Sequence, residues 1–381
     1  MTAKHVLIKL AQPSLRNVVF QRLSENLGRA LRLPSKQTIR SEIPPTRKLA
    51  ESAESIPNLQ PLTIHLSPKF SGESKQLNRL GEINLYTVKN ARLYTDLRNR
   101  RLIWNKETST LLTPISYHYF EDSAPNPRPL RPVHRVKGRS ICLWNGGAAE
   151  NYFHWMHDVI APIALASDQG VAINFDDYLL PWSSSQFQNE TLQQLGIKLR
   201  DCLSYLKFNW IDAEEVSFIS STRFGALGCH FSKPAIESLR ALWIPESNQS
   251  GERLIYITRR DAKTRKVENE EEILSFLEPL GFEAMELASM SVAEQASLFQ
   301  SCKVVVAPHG AALANLAFAS PHCHIIELFP PNWVTSLYAN LARTVGCYYH
   351  FVIGEQLGRN QSAYHVPLDR LKPLARDSLG M

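Results

Sequence analysis

Residues 303–330 combine three features that could together hold a phosphate group. The run K-V-V-V-A is typical of a buried parallel strand, and His309 and Gly310 follow it as a sharp turn. Gly310 leaves no side chain between the backbone and a ligand, and small residues from Ala311 onward predict a helix whose free N–H groups face the turn. Glu327 lies 17 residues beyond Gly310, near the place where a nucleotide-binding unit keeps a carboxylate for ribose hydroxyls. The alternative is a βαβ packing unit whose tight turn binds no ligand.

A second set of reactive side chains lies in N-Y-F-H-W-M-H-D, residues 151–158. In a helix His154 and Asp158 share one face because they are four residues apart. A strand and a double-glycine turn precede this helix and place its first half at the carboxyl edge of a sheet, where ligands bind in open α/β folds. A carboxylate hydrogen bonded to an imidazole there could remove a proton from a hydroxyl. The same pattern also fits a helix cap with a polar–aromatic contact, or a satisfied core histidine.

Metal binding is a competing interpretation of these histidines. His154, His157 and Asp158 could be joined by His322 or His324. However, the two helical histidines are three residues apart instead of the four of H-E-x-x-H, and no glutamate stands between them. The spacing therefore predicts no metal site.

A basic segment follows the predicted strand R-L-I-Y-I-T, residues 253–258. Arg259 and Arg260 end this strand, and Arg265 stands in the loop before the next predicted helix. Guanidinium groups at the carboxyl end of a strand can clamp a diphosphate in bidentate fashion. A solvated loop is the alternative, but the His309 turn on a neighbouring strand edge favours phosphate binding.

Composition restricts the class of protein. The 381 residues are 44% hydrophobic and 20% charged, which indicates two or three folded domains and not a disordered chain. No run of 18 apolar residues occurs, so we expect no membrane span, and the first apolar run is too short for a convincing signal peptide. Six scattered cysteines without a C-x-x-C pair argue against a disulfide framework or zinc ribbon and fit a reducing cytosol.

The positive charge is concentrated in an N-terminal arm, residues 1–40. The arm has a net charge of +7 and the other 341 residues sum to −1, which together give the net charge of +6. A general nucleic-acid-binding surface on the rest of the chain is therefore not expected. Leucines and valines recur in the arm at helical spacing with arginines between them, a pattern that suits an amphipathic helix on an anionic membrane surface. A helix docked on the domain and a poorly ordered tail are the alternatives.

The order of these patterns divides the chain into four parts and predicts two Rossmann-like domains with a cleft between them. Asn269 with Glu272, and Ser291 with Glu294, predict capping boxes for two helices of the last part. The four parts are the basic amphipathic arm and linker (1–75), a β-rich region and connector (76–138), an N-terminal Rossmann-like domain (139–250) and a C-terminal one (251–381).

The ordered motifs resemble those of family 61 glycosyltransferases over roughly residues 83–355. They are N-Y-F-H-W-M-H-D, Y-I-T-R followed by R-K-V-E-N-E, M-S-V-A-E-Q, and A-P-H-G-A-A-L-A-N followed by I-I-E-L-F-P, the last pair being the most specific. The resemblance implies an α/β protein of the GT-B fold, whose second domain holds most of the donor nucleotide. It also implies an inverting, metal-independent transfer of a sugar from a nucleotide sugar to a hydroxyl acceptor.

The resemblance also implies which residues form the site. Asp158 would be the general base, with His154 orienting it or contacting the acceptor, and Asn151 and His157 would adjoin the acceptor. One departure is Ala312, where many relatives carry glycine, and the paired arginines leave open which of them contacts phosphate. The residues expected to bind the nucleotide sugar are Arg259, Arg260, Arg265, His309, Gly310, Ala311, Asn315 and Glu327, of which Glu327 would hold a ribose or sugar hydroxyl.

The expected function is therefore that of a hexosyl- or pentosyltransferase in the biosynthesis of capsule, exopolysaccharide or another surface polysaccharide. Its partners would be a nucleotide-sugar donor and a glycan or glycolipid acceptor, with no cofactor, no metal and no nucleic acid. We expect a cytoplasmic protein, peripheral to the inner face of the membrane if the arm binds lipid. Two alternatives remain, a metal-dependent hydrolase that uses the histidines and a non-catalytic glycan- or nucleotide-binding protein on the same fold.

Overall fold

The fold was analysed in a computed structural model of the full chain. The residues that the structure describes are 40–42, 47–50, 83–95, 101–106, 111–113, 133–143, 146–204, 208, 210–224, 229–244, 251–260, 264–356 and 363–381. Nearly all of the basic arm lies outside these residues, and so does its expected contact with a membrane. The chain divides into two compact units, one formed by residues 1–48, 84–150 and 172–220, the other by residues 49–83, 151–171 and 221–381.

The first unit is built on a mixed sheet of nine described strands. In chain order the strands are β1 (Arg40–Glu42), β2 (Arg47–Ala50), β3 (Ile83–Thr95), β4 (Arg101–Asn105), β5 (Leu111–Thr113), β6 (His134–Cys142), β7 (Asp177–Leu180), β8 (Cys202–Ser204) and β9 (Trp210–Ile219). Their order across the sheet is β1-β5-β4-β3-β9-β6-β7-β8, and β2 also pairs with β3. The core beneath this sheet includes Leu93, Ile103 and Phe218, which are at most 1% exposed.

Strand β9 joins two parts of the chain that the sequence predicts as separate. It pairs antiparallel with β3 and parallel with β6, while β7 and β8 continue the parallel part. Strands β3, β4 and β5 of the predicted β-rich region pair antiparallel. The β-rich region and the following α/β region thus share one sheet, because β9 supplies hydrogen bonds to both. The α/β class is compatible with this sheet.

The second unit contains a parallel sheet with the order β14-β12-β15-β16-β17. Its strands and the short strands around it are β10 (Arg223–Phe224), β11 (His230–Phe231), β12 (Arg253–Ile257), β13 (Lys266–Val267), β14 (Phe282–Met285), β15 (Cys302–Pro308), β16 (His324–Phe329), β17 (Tyr348–Ile353) and β18 (Ala363–Tyr364). Strand β12 pairs with β14 on one side and with β15 on the other. The strand order therefore reverses between β12 and β15, which is the topological switch point of the sheet. Ligands bind to parallel sheets at the carboxyl ends of such a strand pair.

The described residues form seven helices besides short 3₁₀ helices, including those predicted after the double-glycine turn and at the two proposed capping boxes. They are α1 (residues 152–168), α2 (Gln186–Gln194), α3 (Lys233–Ala241), α4 (Glu270–Leu277), α5 (Val292–Gln300), α6 (Leu337–Val345) and α7 (Leu368–Asp377). Helix α1 has a π turn at Met156–Ile160 between Tyr152–Trp155 and Ala161–Asp168. Such π turns occur often at functional sites. Short 3₁₀ helices span Gly146–Ala149, Leu199–Asp201, Glu278–Leu280 and Ala311–Phe318. Among the described residues, no helix is long and apolar enough to cross a membrane.

Helix α1 belongs to the second unit, whereas the sequence-based boundary at residue 250 assigned it to the N-terminal domain. Its partner is the 3₁₀ helix Ala311–Phe318. The Tyr152 hydroxyl donates to Asn315 Oδ1 at 2.7 Å, and His157 Nε2 lies 3.2 Å from the Ala314 carbonyl oxygen. These contacts over about 160 residues of sequence cannot be read from local periodicity.

The two predicted capping boxes have different outcomes. Ser291 and Glu294 form the expected box at the start of α5, with each side chain bonded to the other residue's backbone N–H. The box of Asn269 and Glu272 is wrong. The Asn269 amide instead bonds to both backbone groups of Val366 at 2.9 Å, so a tertiary contact replaces the local cap.

The helix predicted after Gly310 forms as a 3₁₀ helix. Its first turn closes with a hydrogen bond from Leu313 N to the Gly310 carbonyl, three residues back. The Ala314 carbonyl, which an α-helix would pair with a later backbone N–H, is a hydrogen-bond partner of His157. This bond ties the 3₁₀ helix to α1.

Candidate functional site

The candidate site begins where strands β12 and β15 end. His309 continues β15 and donates its N–H to the Leu328 carbonyl, and Gly310 follows in extended conformation. The Arg259 guanidinium, just beyond β12, donates from Nη1 to the His309 carbonyl. A Cβ on Gly310 would lie 2.6 Å from that Nη1. A side chain at position 310 would therefore have to displace this guanidinium, and the extended φ of 179° shows that Gly310 does not supply a left-handed backbone.

The two adjacent arginines have different surroundings. Arg260 is exposed and pairs with Glu270 at 3.2 Å and with Glu271 at 2.7 Å, both on α4. Arg259 is half-buried against the His309–Gly310 turn, and its guanidinium has no carboxylate partner among the residues that the structure describes. The structure thus brings Arg259, and not Arg260, to the predicted phosphate turn.

Arg265 adds a second half-buried cation near Arg259. Burial and the positive charge of Arg259 lower the pKa of Arg265, and within the described chain no carboxylate pairs with it. Its guanidinium lies over the Trp333 ring, 5.7 Å from the centroid. Its φ of 58° is in the left-handed region, which is costly for a side chain of this size and often marks a functional position. Two partly desolvated like charges of this kind favour a bound anion.

The ring of His309 is hydrogen bonded to a buried carboxylate. Glu327 on β16 is fully buried, its Oε1 lies 2.5 Å from His309 Nδ1, and its Oε2 accepts from the Tyr349 hydroxyl. Both carboxylate oxygens are therefore engaged inside the protein. Glu327 does not reach a surface where it could bind a ribose or sugar hydroxyl, which corrects the role expected for it.

Asn315 is likewise an interior residue. It is fully buried, accepts from the Tyr152 hydroxyl and donates to Gln295 Oε1 at 2.7 Å. These bonds join α1, the 3₁₀ helix and α5, so the Asn315 side chain supports the turn, and its expected contact with a nucleotide stays a prediction. Ala311 begins the 3₁₀ helix directly after Gly310 and is half-buried.

The predicted pair His154 and Asp158 forms on α1, with an arginine that the sequence did not indicate. His154 Nδ1 lies 2.7 Å from Asp158 Oδ2. Arg223 donates two hydrogen bonds of 2.5 and 2.8 Å to the same carboxylate. Its guanidinium lies 4.8 Å from the centroid of the Phe153 ring. Burial alone would raise the pKa of Asp158, but the charge of Arg223 and the hydrogen bond from His154 hold that pKa well below its usual range.

The hydrogen bond between His154 and Asp158 determines which nitrogen of the imidazole can act as a base. An ionised carboxylate only accepts, so Nδ1 of His154 carries the hydrogen and Nε2 keeps its lone pair. The side chain of His154 is 33% exposed, whereas those of Asp158 and Arg223 are 9% and 8% exposed. Nε2 of His154 has no hydrogen-bond partner within the described part of the chain. The nitrogen of this pair that remains accessible is therefore Nε2 of His154, whereas both oxygens of Asp158, the general base expected from the sequence, are already bonded.

The two remaining residues expected at the acceptor serve the local fold. Asn151 is exposed and caps α1, accepting from Phe153 N and His154 N at 2.9 and 3.4 Å. His157 is 1% exposed and donates from Nε2 to Ala314, while its Nδ1 is sealed without a hydrogen-bond partner. An acceptor cannot reach His157, because the side chain faces the interior.

The buried, neutral state of His157 predicts a stability loss in mild acid. Burial, followed by the charge of Arg223, lowers the pKa of His157 from 6.5 to about 3. Below pH 6.5 the imidazole of His157 takes up a proton in the unfolded chain, whereas in the folded chain it stays neutral down to about pH 3. The contribution of neutral His157 to the free energy of unfolding is therefore complete above pH 6.5 and is lost as the pH falls. At pH 5 the loss from this group is about 2 kcal/mol. Urea unfolding at pH 7.5 and 5 should show a smaller loss in His157→Gln than in the wild type; equal losses would contradict this account.

Two aromatic residues connect the two groups of polar side chains. The Phe153 ring lies 5.4 Å from that of His154 and 5.6 Å from that of Tyr338, and the Tyr338 ring lies 5.4 Å from His309. Burial and the charge of Glu327 raise the pKa of Tyr338. The His154 group and the His309 group are thus neighbours inside the second unit and form a single candidate site.

No group of three or more histidine, cysteine, aspartate or glutamate side chains suited to a metal ion occurs among the described residues. His324 begins β16, so it lies at the amino end of the sheet, while His309 and Arg259 lie at the carboxyl ends of their strands. The structure therefore does not bring His322 or His324 to the helical histidines.

A family model described as Glycosyltransferase 61 matches residues 152–326. The matched segment contains His154, Asp158, Arg223, Arg259 and His309, and it ends one residue before Glu327. The match supports a glycosyltransferase of family 61. A search of curated proteins gave no match.

Proposed function

We propose that the protein is an inverting, metal-independent glycosyltransferase of the GT-B type that transfers a sugar from a nucleotide sugar to a hydroxyl of a glycan or glycolipid. The observation that carries this proposal is the pair of half-buried arginines, Arg259 and Arg265, at the turn where β12 and β15 end. An accessible imidazole base, His154, lies in the same unit. The family match supports the transferase class.

On the donor side the two arginines and the turn after His309 would bind the nucleoside diphosphate. The bond between the anomeric carbon and the diphosphate oxygen breaks, and its electron pair stays on that oxygen. Fixed cations and N–H groups aimed at the developing charge lower the barrier, because they need no reorganisation during the reaction. Arg259 is already fixed by its bond to the His309 carbonyl.

On the acceptor side His154 would act as general base. Nε2 takes the proton of the acceptor hydroxyl as its oxygen attacks the anomeric carbon on the face opposite the diphosphate, which inverts the configuration. The carboxylate of Asp158 then stabilises the imidazolium through Nδ1, and the two bonds from Arg223 fix that carboxylate. Positioned bases of this kind contribute about 10²–10⁴-fold to a rate.

The biological setting that we propose is surface polysaccharide biosynthesis on the cytoplasmic side of a membrane, with a hexose or pentose as the transferred sugar. Contact of residues 1–40 with anionic lipid remains part of this proposal. Vesicle sedimentation of the full chain and of a chain without these residues tests the contact, and equal binding by both would refute it.

A thermal-shift screen against UDP-, GDP-, CMP- and dTDP-sugars, with and without EDTA, tests the proposed function. A ligand at about 100 times its dissociation constant stabilises a fold by about 2.7 kcal/mol, which is readily detected. We expect one nucleotide class to raise the melting temperature equally in both conditions and then to support transfer with inversion at the anomeric carbon. A shift that requires a divalent cation, or no shift with any donor, would contradict the proposal.

A further inference from the structure

A diagonal row of polar side chains crosses the sheet behind the donor turn. Glu327 on β16 pairs with Ala307 on β15 and with Phe351 on β17. His309 lies two residues beyond Ala307, and Tyr349 two residues before Phe351. Because side chains alternate between the faces of a sheet, His309, Glu327 and Tyr349 share one face and stand on three neighbouring chain segments.

With Glu327 ionised, the hydrogen bonds along this row run in one direction. Burial and the charge of Glu327 raise the pKa of Tyr349, so its hydroxyl is protonated and donates to Oε2 at 2.5 Å. The carboxylate accepts, so Nδ1 of His309 donates to Oε1. Stacking on Phe329, with ring centroids 5.2 Å apart and planes 25° apart, fixes the plane of the His309 ring.

The other nitrogen of His309 is left for the site. Nε2 has no hydrogen-bond partner among the described residues. It is also not one of the fully buried nitrogen and oxygen atoms that lack a partner, so it remains accessible. The groups that surround His309 are the Glu327 carboxylate, the Tyr338 ring, the Phe329 ring and the Arg259 guanidinium at its carbonyl. A fully buried carboxylate requires compensation by a charge, and the imidazole is the ionisable side chain bonded to it that can carry a positive one.

We propose that Tyr349 is a positioning residue, which acts through Glu327 to hold His309 as an imidazolium whose Nε2–H points at the departing diphosphate. This inference rests on the proposed transferase function. His309 donates a hydrogen bond to the oxygen that receives the electron pair of the broken anomeric bond, and the proton stays on His309. The fully buried Glu327 and the distant Tyr349 thus serve a reaction that neither of them touches.

The test compares Tyr349→Phe with Tyr348→Phe. Both substitutions remove one hydroxyl and keep the ring, but Tyr348 is 50% exposed and its contacts are with His322 and His324. We expect Tyr349→Phe to lower kcat about tenfold with KM for the donor unchanged, because the lost interaction strengthens only in the transition state. We expect Tyr348→Phe to keep wild-type kinetics. A Tyr349→Phe enzyme with wild-type kcat, or with a raised KM alone, would overturn the proposal.

Proton NMR of protein with ¹⁵N-labelled histidine detects the hydrogen bond between His309 and Glu327 without any substrate. A far-downfield Nδ1–H signal of His309 is expected in the wild type and in Tyr348→Phe, lost in Glu327→Gln, and displaced in Tyr349→Phe. No such signal in the wild type, or the same signal in Tyr349→Phe, would overturn the coupling of these residues. A wild type that shows the signal but transfers no sugar from any donor would refute the proposed function instead, so the two failures are distinguishable.

Discussion

Replacing His154 with glutamine is expected to lower kcat at least about 10²-fold, the lower end for a positioned general base, while nucleoside diphosphate binding stays unchanged. Glutamine keeps a polar side chain on α1 but cannot take a proton. The reason for choosing His154 over Asp158 is geometric, since the Asp158 side chain is only 9% exposed and shares its two oxygens between Arg223 and His154. Steady-state kinetics and calorimetric titration with the nucleoside diphosphate measure the two effects separately.

His322→Asn is the matched control for this substitution. His322 is an exposed histidine of the same unit and precedes the amino end of β16, away from the candidate site. Asparagine tolerates its positive φ of 67°. The control should keep wild-type kcat. Near-wild-type turnover by His154→Gln would remove His154 from the role of base, and Asp158→Asn would then have to be tested in its place.

Replacing Arg259 with alanine is expected to lower kcat/KM about 10²–10³-fold, the range found when one preorganised donor to a developing negative charge is removed. The same substitution should weaken binding of the nucleoside diphosphate, because the product carries the charge that the arginine neutralises. Arg259 is fixed for this purpose by its bond to the His309 carbonyl and its packing on Gly310. Initial rates at low donor concentration measure the effect on kcat/KM.

Arg260→Ala is a control that differs by a single position. Arg260 has the same charge, but its exposed side chain already pairs with Glu270 and with the exposed Glu271, and pairs of exposed side chains contribute little in water. Its loss should change kcat/KM by no more than a few-fold. A larger loss in Arg260→Ala than in Arg259→Ala would contradict the assignment of the phosphate site.

Local sequence patterns predicted most of the elements that position the site. The valine-rich strand before His309 is buried along its length after Lys303, and the box of Ser291 and Glu294 forms because both partners lie within one turn. The spacing of His154 and Asp158 likewise fixed their contact, because four residues complete about one helical turn.

What the sequence could not supply are partners far apart along the chain. Arg223 meets Asp158 across 65 residues, and its only sequence signal is a single arginine beside a predicted strand. Tyr349 meets Glu327 across 22 residues, on the next strand of the sheet. These two contacts changed the roles that we propose, since Arg223 bonds to both oxygens of Asp158 and Tyr349 occupies the second oxygen of Glu327.

The same limit explains the difference in domain grouping. Local periodicity predicts helix α1 correctly, but it carries no information on which sheet the helix covers. The bond from Tyr152 to Asn315, 163 residues apart, and the contact of His157 with Ala314 place α1 on the second unit. The His309 and His154 groups consequently lie in one compact unit.

The most direct test of the account is a crystal structure of the protein with the nucleoside diphosphate of its donor, grown in EDTA. We expect the diphosphate at the carboxyl ends of β12 and β15, with its oxygens in hydrogen-bond contact with Arg259 and the turn at His309 and Gly310, and with Arg265 close by. A diphosphate bound elsewhere, or one that binds only through a metal ion, would contradict the metal-independent transferase that we propose.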